Sequence, residues 1–540
     1  MSTGRRIIII GGVAGGATAA ARIRRLDEHA KITIFEQGEY ISFANCGLPY
    51  YIGGEIPEKE NLLLQTPEGF KKRYNIDVKV LNQVIEIDKD NKRIKVKNLE
   101  NNEEYYEEYD ELILSMGAKP VKIFKDAYTI RNIPDIEKIK EEVEKSKSAV
   151  IIGGGYVGLE MAENLHKRGI HITIIEKAEH IIASIDKEMA EIVHKYLIKN
   201  GIELLLNTGV KSVENNIVIL EDGKTINTDI VISAIGVKPD VEIVKNAGIK
   251  IGNLGGVVVD EYMKTSEKNI YAVGDMVEVT NFVTKDNALI PLASPANKQA
   301  RIVADNVCGI KTKYDGTQGT AIIKIFDMVV ASTGAREKLL QSSNVPYSKS
   351  YTHSYSNATY YPGSQPMSIK LIWEKESNKL LGGQIVGFAG VDKRIDILAT
   401  ALRFGLTPKN LTEMELSYAP PFSSAKDPIN MAGYVASNII DGIVKVFYVE
   451  NLEKLDFTKD VLIDARTVGE YTKGTIENAI NIPVDELRQR LDEIPIDKNI
   501  YVFCRTGLRS YLAARILEQN GFKNVKNLSG GYLSYINTLG

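Results

Sequence analysis

Cysteine is scarce in this chain. Cys46, Cys308 and Cys504 are the only three in 540 residues. That is too few for a disulfide framework, so a reducing compartment is expected. It also excludes a four-thiolate zinc or iron–sulfur centre within one chain, and no metal site is expected. An excess of either charge is lacking too. Lys plus Arg number 67 against 70 Asp plus Glu, a formal net charge of −3, which gives no global case for a nucleic-acid partner. Long apolar runs are absent, since no stretch reaches the ~18 apolar residues of a membrane span. Arg5-Arg6 followed by Ile7–Ile10 has the outline of a leader, but the run stops at glycines short of the ~7–15 residues of a signal core, and Arg22, Arg24 and Arg25 follow. The expectation is a soluble, cytoplasmic protein. One core is excluded by length, because single cores stop growing beyond ~250–300 residues.

What is present is a repeated pattern. Ile7–Ile10 breaks into Gly11-Gly12-Val13-Ala14-Gly15-Gly16 and an Ala-rich helix; Ala149–Ile152 breaks into Gly153-Gly154-Gly155-Tyr156-Val157-Gly158 and a helix through Leu165. Each is followed by a second β-branched run ending in an acid, Ile32–Phe35 before Glu36 and Ile172–Ile175 before Glu176. This is the βαβ dinucleotide unit, present twice. Glycines permit the tight turn and let helix N-terminal amides face a pyrophosphate, while the acid takes ribose hydroxyls. Glu176 follows Gly153 at nearly the ~20-residue distance that contact needs. An acid there repels a 2′-phosphate and favours NADH, although the adjacent Lys177 keeps NADPH possible. The first unit departs from the pattern, with Val13 at the middle glycine position. Further on, the runs Ala321–Ile325 and Ile369–Trp373 read as strands and Ile395–Arg403 as a helix. Val461–Ile463 opens a new α/β unit after a charged segment, Glu450–Lys459, that reads as a linker.

Tyr271-Ala272-Val273-Gly274-Asp275 resembles the second FAD fingerprint of the flavoprotein disulfide reductases. Ser115-Met116-Gly117-Ala118 and Ala234-Ile235-Gly236 resemble that family's crossings between its FAD and NAD domains. The resemblance covers roughly residues 5–445. It implies an α/β chain with two Rossmann-like domains: an FAD domain from 1–115 and 247–320, and an NAD(P)H domain from 116–246. An α+β dimerisation domain would follow over 321–445. Implied cofactor contacts are Gly11, Gly12, Val13, Ala14, Gly15, Glu36, Ser115, Gly117, Gly274 and Asp275 for FAD. For the nicotinamide cofactor they are Gly153, Gly155, Tyr156, Val157, Gly158, Glu176 and Gly236.

Two-cysteine members of this family carry their thiols four residues apart. This chain has Ser42-Phe43-Ala44-Asn45-Cys46-Gly47-Leu48-Pro49-Tyr50, with no second thiol nearby in sequence. A lone thiol must cycle through a mixed disulfide with a small thiol, a persulfide or a sulfenic acid. The segment resembles the single-cysteine branch, and within it the coenzyme A disulfide/persulfide reductases. The branch's peroxidases and oxidases place a histidine where this chain has Ala14, which removes an acid/base partner for peroxide cleavage. Tyr360-Tyr361-Pro362-Gly363 and Tyr418-Ala419-Pro420-Pro421 resemble segments whose tyrosines reach the reactive cysteine from the partner subunit of a homodimer. Tyr360 and Tyr418 are the assignments and Tyr361 the fallback. For the coenzyme A phosphates and polar groups the resemblance nominates Arg22, Arg25 and Lys426 with Thr18, Ser42 and Asn45, then Asn297 and Arg301. Where some relatives have Lys, Arg73-Tyr74 stands here.

The tail, about 453–540, contains Val461–Arg466, Glu470-Tyr471 and the loop Cys504-Arg505-Thr506-Gly507-Leu508-Arg509-Ser510 between a strand and a helix. It resembles an α/β rhodanese domain. Loop amides and the helix dipole would stabilise a Cys504 thiolate or persulfide, with Arg505 and Arg509 adding positive charge. Cys308, near a helix end, reads as structural. The resulting expectation is an NADH- and FAD-dependent reductase of coenzyme A persulfide, polysulfide or disulfide, with Cys46, Cys504, Tyr360, Tyr418 and Arg509 carrying the chemistry. Its partners would be small molecules and a sulfane-sulfur donor, with neither nucleic acid nor membrane. Two other readings stay open: a water- or peroxide-forming NADH oxidase, and a redox-sensing or sulfur-relay binding protein.

Overall fold

The computed structural model describes residues 4–539. They divide into two compact units, one running to Ile181 and including Gly201–Gly319, the other built from Ile182–Asn200 with Thr320 onward.

The first unit contains two parallel sheets of the same design. One has the strand order Ile270–Ala272, Glu111–Leu114, Arg6–Ile10, Lys31–Phe35, Asp77–Lys79. The other runs Glu203–Leu205, His171–Ile175, Ser148–Ile152, Ile230–Ser233. Their central strands are nearly unbroken β-branched runs because both faces are covered; Ile7–Ile10 and Ala149–Ile152 are buried throughout. Each central strand ends at a glycine turn and passes into a helix, Ala14–Leu26 or Tyr156–Lys167. The closing glycine of each turn lets helix and strand touch. A Cβ on Gly16 would lie 1.9 Å from the Gly11 carbonyl oxygen, and one on Gly158 would lie 2.0 Å from that of Gly153.

In the second unit an antiparallel sheet runs Ala321–Ile325, Met328–Gly334, Leu380–Gly387, Pro366–Glu374, Tyr347–Tyr355. The helix Val391–Arg403 packs on it. A parallel sheet follows in the order Val446–Phe447, Val525–Leu528, Asn499–Phe503, Asp460–Asp464, Ile480–Asn481. Val446–Phe447 therefore already belongs to the C-terminal sheet, ahead of the expected start at 453. Nor is the whole of 450–459 an open linker. Val449–Lys454 forms a 3-10 turn, and Glu450 is ion-paired to Lys349 at 2.8 Å. A charged run reads as solvated in sequence; here its partner is a buried lysine a hundred residues away.

Within this unit the strand Tyr347–Tyr355 carries the C-terminal domain. The Tyr351 amide donates to Ser529 Oγ at 3.1 Å, and the Tyr448 hydroxyl donates to the Lys349 carbonyl at 2.8 Å. His353 ties this sheet to the C-terminal helix Gly531–Thr538, with Nδ1 2.9 Å from Ser368 Oγ on the neighbouring strand and Nε2 3.1 Å from Ser534 Oγ on the helix. Desolvation holds this imidazole neutral, with its pKa lowered to about 4. The unfolded chain therefore binds the extra proton first as pH falls, so stability is present above the unfolded value and is lost progressively between about pH 6.5 and 4, by up to about 3 kcal/mol. Thermal melts across that window should show the loss, and His353→Gln should flatten it. An unchanged slope in the variant would place the titration elsewhere.

Candidate active sites

A cavity in the first unit collects most of the residues expected to hold FAD. Gly11, Val13, Ala14 and Gly15 line it at the start of their helix. Ser115 and Gly117 line it from the chain crossing, Gly274 and Asp275 from the fingerprint, and Asn45 beside Cys46. Gly11 sits at φ 97°, and a Cβ there would meet the Ser115 carbonyl oxygen at 2.3 Å, so the turn itself demands glycine. Glu36 Oε2 accepts from the Gly12 amide at 2.9 Å and Oε1 from the Gly38 amide at 2.9 Å. Desolvation pushes the Glu36 and Asp275 carboxyls above the usual range, and Arg131, which also lines the cavity, pulls both back. Two carboxylates with a cation and helix N-terminal amides form the donor and acceptor set that ribose, ribityl and pyrophosphate groups need, so the residues fit FAD. Arg131 belongs to no motif in the sequence. Its only local signal is the helix cap beside it, where the Asn132 side chain accepts from the Asp135 amide.

The second turn repeats this in tighter form. Gly153 sits at φ 108°, with the Ala234 carbonyl 2.5 Å from where a Cβ would stand. Gly155 has no protein atom within 4 Å of that position, so the fold leaves room there for close approach of a ligand. Gly236 lies at φ 113°. Tyr156 and Val157 open the helix. Glu176 Oε2 accepts from the Gly154 amide and Oε1 from the Ala178 amide, both at 2.8 Å. Lys177 turns away to Glu221 at 2.9 Å. Glu176→Gln should raise the KM for NADH about tenfold, the scale of one charge-assisted hydrogen bond, with a smaller effect on kcat. Steady-state kinetics with both cofactors check this; an unchanged ratio of NADH to NADPH use would remove Glu176 from recognition.

Cys46 lies in the 3-10 turn Asn45–Gly47, directly before the helix Leu48–Gly53. The Ser42 amide donates to the Gly12 carbonyl at 2.8 Å, tying this segment to the first glycine turn, and Ser42 takes φ 45° to do so. Cys46 Sγ is exposed and 3.9 Å from Asn45 Oδ1. Its pKa is raised, first by desolvation and then by the negative charges of Glu160 and Asp275. Glu160 was not anticipated. It sits on the helix after the second glycine turn, accepts from the Tyr50 hydroxyl at 3.4 Å, and is pushed by burial up to about 7. Its charge changes near neutral pH within electrostatic reach of Cys46. An acid among buried Gly158, Leu159, Met161 and Ala162 was the available signal.

Of the residues nominated for coenzyme A, the fold brings Thr18 and Asn297 together, with the Thr18 hydroxyl donating to Asn297 Oδ1 at 2.6 Å. Asn297 and exposed Arg301 share one face of the helix Ala293–Val307. Arg25 is exposed. Arg22 is held by Asp305, 2.6 Å from Nε and 2.5 Å from Nη2. In the second unit, Lys426 is exposed, and the Tyr360 and Tyr418 hydroxyls lie 2.9 Å apart. Tyr360 is 75% and Tyr418 48% exposed, unusual for large aromatic side chains. The hydrogen bond to Tyr418 raises the Tyr360 phenol above its ordinary value, so it stays protonated and able to donate. Cys308 caps the end of the Ala293–Val307 helix, and desolvation raises its thiol.

Cys504 ends the strand Asn499–Phe503, and the helix Leu508–Gln519 begins four residues on. Gly507, at φ 113°, turns its amide onto the sulfur at 3.1 Å, and the buried Ser510 hydroxyl adds a second donor at 3.3 Å. The loop is clamped from behind. The Tyr532 amide donates to the Cys504 carbonyl at 2.7 Å and the Leu533 amide to that of Arg505 at 2.9 Å. A Cβ on Gly531 would stand 2.5 Å from the Cys504 carbonyl oxygen. The Gly507 amide is the firm donor to sulfur, because the Ser510 hydroxyl also lies 3.1 Å from the Gly507 carbonyl oxygen and can donate to either. Arg509 forms a bidentate pair with Glu470, Nη1 to Oε2 at 2.6 Å and Nη2 to Oε1 at 2.8 Å. Ser510 and Glu470 were visible in sequence only as loop and helix residues.

Comparison with known proteins agrees with this division. Residues 5–300 match the pyridine nucleotide-disulphide oxidoreductase family, 320–428 its dimerisation domain, and 448–538 the rhodanese-like domain. A coenzyme A disulfide reductase of Staphylococcus haemolyticus is 36% identical over 441 residues, covering 81% of this chain and all of that protein. The reduced CoADR-RHD of Bacillus anthracis aligns with a TM-score of 0.97 at 47% identity, over 99% of this chain and 98% of that one. An NAD-dependent persulfide reductase from A. fulgidus aligns with a TM-score of 0.92 at 38% identity, over 98% of this chain and all of the other.

Proposed function

We propose, from the premise that this chain belongs to the pyridine nucleotide-disulphide oxidoreductase family and ends in a rhodanese-like domain, that it is an NADH-dependent, FAD-containing reductase of coenzyme A persulfide or disulfide whose C-terminal domain delivers sulfane sulfur. The observation that carries this reading is the lone Cys46 thiol next to Asn45 at the dinucleotide cavity, in a chain whose other two cysteines cap a helix and head the rhodanese loop. When bound, FAD supplies two-electron transfer from NADH to sulfur. Glu36, Asp275 and the amides of the first glycine turn would hold it; Glu176 and the second turn would hold NADH.

Cys46 must first lose its proton against the raised pKa that its surroundings impose; as the thiolate it attacks coenzyme A disulfide, forming a mixed disulfide and expelling one coenzyme A thiolate. With coenzyme A persulfide the same attack expels hydrosulfide. Two electrons from NADH then restore the Cys46 thiolate and free the retained coenzyme A. The hydrogen-bonded Tyr360–Tyr418 pair, supplied in trans across a homodimer, donates to the departing thiolate. Thr18, Ser42, Asn45, Asn297 and the guanidiniums of Arg25 and Arg301, with Lys426, form the coenzyme A contacts; Arg22 joins them only by leaving Asp305. At the second site Cys504 carries sulfane sulfur. The persulfide is favoured as substrate because the fused domain is built to supply such sulfur. We read the protein as cytoplasmic; among the described residues no helix is long and apolar enough to cross a membrane.

Anaerobic turnover with NADH and coenzyme A persulfide tests the reading. Stoichiometric sulfide release that depends on Cys46 is expected. Rapid NADH-driven oxygen consumption without sulfide release would instead make the protein an oxidase.

A further inference from the structure

We infer that Cys504 is loaded by an aliphatic thiol persulfide and discriminates against thiosulfate, and that Glu470 sets this choice through Arg509. The inference deepens the proposed function and rests on it for the sulfurtransfer step. A small dianion such as thiosulfate needs free cationic donors at the loop mouth to meet its sulfonate. The loop has two guanidiniums; Arg505 is exposed, but Arg509 is already spent, which leaves one cation of the two for a sulfonate. Both Nη atoms of Arg509 donate to Glu470, at 2.6 and 2.8 Å. The carboxylate is fixed in turn by Thr467, whose amide and hydroxyl donate to Oε2 at 3.2 and 3.0 Å while Oγ1 accepts from the Glu470 amide at 3.3 Å. The pair carries no net charge, and a sulfonate could win Arg509 only by displacing a carboxylate held from both sides.

Around this neutralised pair apolar side chains are exposed alongside Arg505 and Thr467. Leu508 and Leu512 are one helical turn apart, on the same face of the helix that the loop opens, and are 61% and 47% exposed. Val468, 57% exposed, opens the helix that carries Glu470. Such a rim suits an uncharged arm next to sulfur, as in the pantetheine arm of coenzyme A persulfide, better than a doubly charged oxyanion. The transfer balances without an outside oxidant: the Cys504 thiolate attacks the terminal sulfur of R–S–SH, a Cys504–sulfur bond forms, the donor S–S bond breaks, and its electron pair leaves on RS⁻.

The test uses the full-length protein, with cyanide as acceptor and intact mass to follow sulfur on Cys504. Thiosulfate, glutathione persulfide and coenzyme A persulfide are compared as donors. For the unmodified protein, kcat/KM with at least one persulfide should exceed that with thiosulfate by about 100-fold. Glu470→Gln, by releasing Arg509, should lower the thiosulfate KM about tenfold, a gain that damage to the loop cannot produce. Thr467→Ala, which loosens the carboxylate without removing it, should give a smaller gain. Equal use of thiosulfate by the unmodified protein, or an unchanged thiosulfate KM in Glu470→Gln, overturns the inference and leaves the reductase intact. If no donor loads Cys504, the sulfurtransferase half of the proposed function falls with it. Loading as expected without NADH turnover at Cys46 would sink the reductase reading alone.

Discussion

Cys46→Ser is expected to abolish NADH-dependent reduction of coenzyme A disulfide and persulfide, by about 10⁴-fold or more, the scale seen when a covalent nucleophile is removed. A serine hydroxyl cannot form the S–S bond on which the cycle depends, and its oxygen is a far weaker nucleophile than a thiolate at neutral pH. The chain offers no substitute. Cys308 caps a helix beside Arg5 and Asp27, and Cys504 lies within the rhodanese loop with only 1% of its surface exposed. Two controls make the result specific. Bleaching of enzyme absorbance by NADH should persist, because Glu36, Asp275 and Glu176 are untouched. Loading of Cys504 by a persulfide should persist as well. Residual turnover above about one per cent of the original rate, resistant to reagents that alkylate thiols, would sink the assignment.

The second large effect is on stability. Lys370 is completely buried, and its ammonium meets Asp186 at 2.7 Å together with Glu188 and Glu337. Asp186 caps the helix Lys187–Lys199 and is held further by Gln384 at 2.7 Å. The three carboxylates converge as a divalent cation site would require, and here a lysine supplies the charge. Its positive field holds Glu337 down to about 2 and lowers Glu188, even though burial alone would raise both. Lys370→Met leaves a clustered, largely desolvated triad; Lys349, 2.9 Å from Glu337, answers only part of it. The cost should be about 3–5 kcal/mol, the usual price of breaking a buried ion pair on one side. For a unit of this size that is a fall of about 10 °C in Tm.

The pH dependence identifies the cause. In the original protein Glu337 contributes stability above its unfolded pKa, lost only as pH falls towards about 2. In Lys370→Met the acids prefer their protons in the folded state, so the deficit should shrink as pH is lowered from 7 to 5. Adding Asp186→Asn and Glu188→Gln should recover much of the loss at pH 7. A deficit of the same size at both pH values would instead indicate a packing defect.

The two glycine turns, the Gly274-Asp275 fingerprint, the Cys46 segment and the Cys504 loop were all legible because each is local. A β-branched run ending in glycines, or a cysteine between a strand and a helix start, states its geometry within about ten residues. Where the sequence was silent, the partners lie far apart in the chain. Glu470 and Arg509 are separated by 39 residues, Asp186 and Lys370 by 184, and His353 and Ser534 by 181. No periodicity marks such pairs, and a lone Lys or Glu reads as a solvated surface residue until the fold buries it. The charged segment 450–459 misled for the same reason.

By itself, then, the sequence determined that two dinucleotide turns, a dimerisation-type sheet and a rhodanese loop follow one another, and that Cys46 and Cys504 each stand without a second thiol nearby in sequence. Only the tertiary structure decided how those sulfurs are surrounded: the Gly507 amide and Ser510 hydroxyl at Cys504, acids near Cys46, Arg509 neutralised by Glu470, and Lys370 at the centre of three carboxylates. Backbone geometry is encoded by neighbours in the chain, whereas charge and solvation are set by neighbours in space.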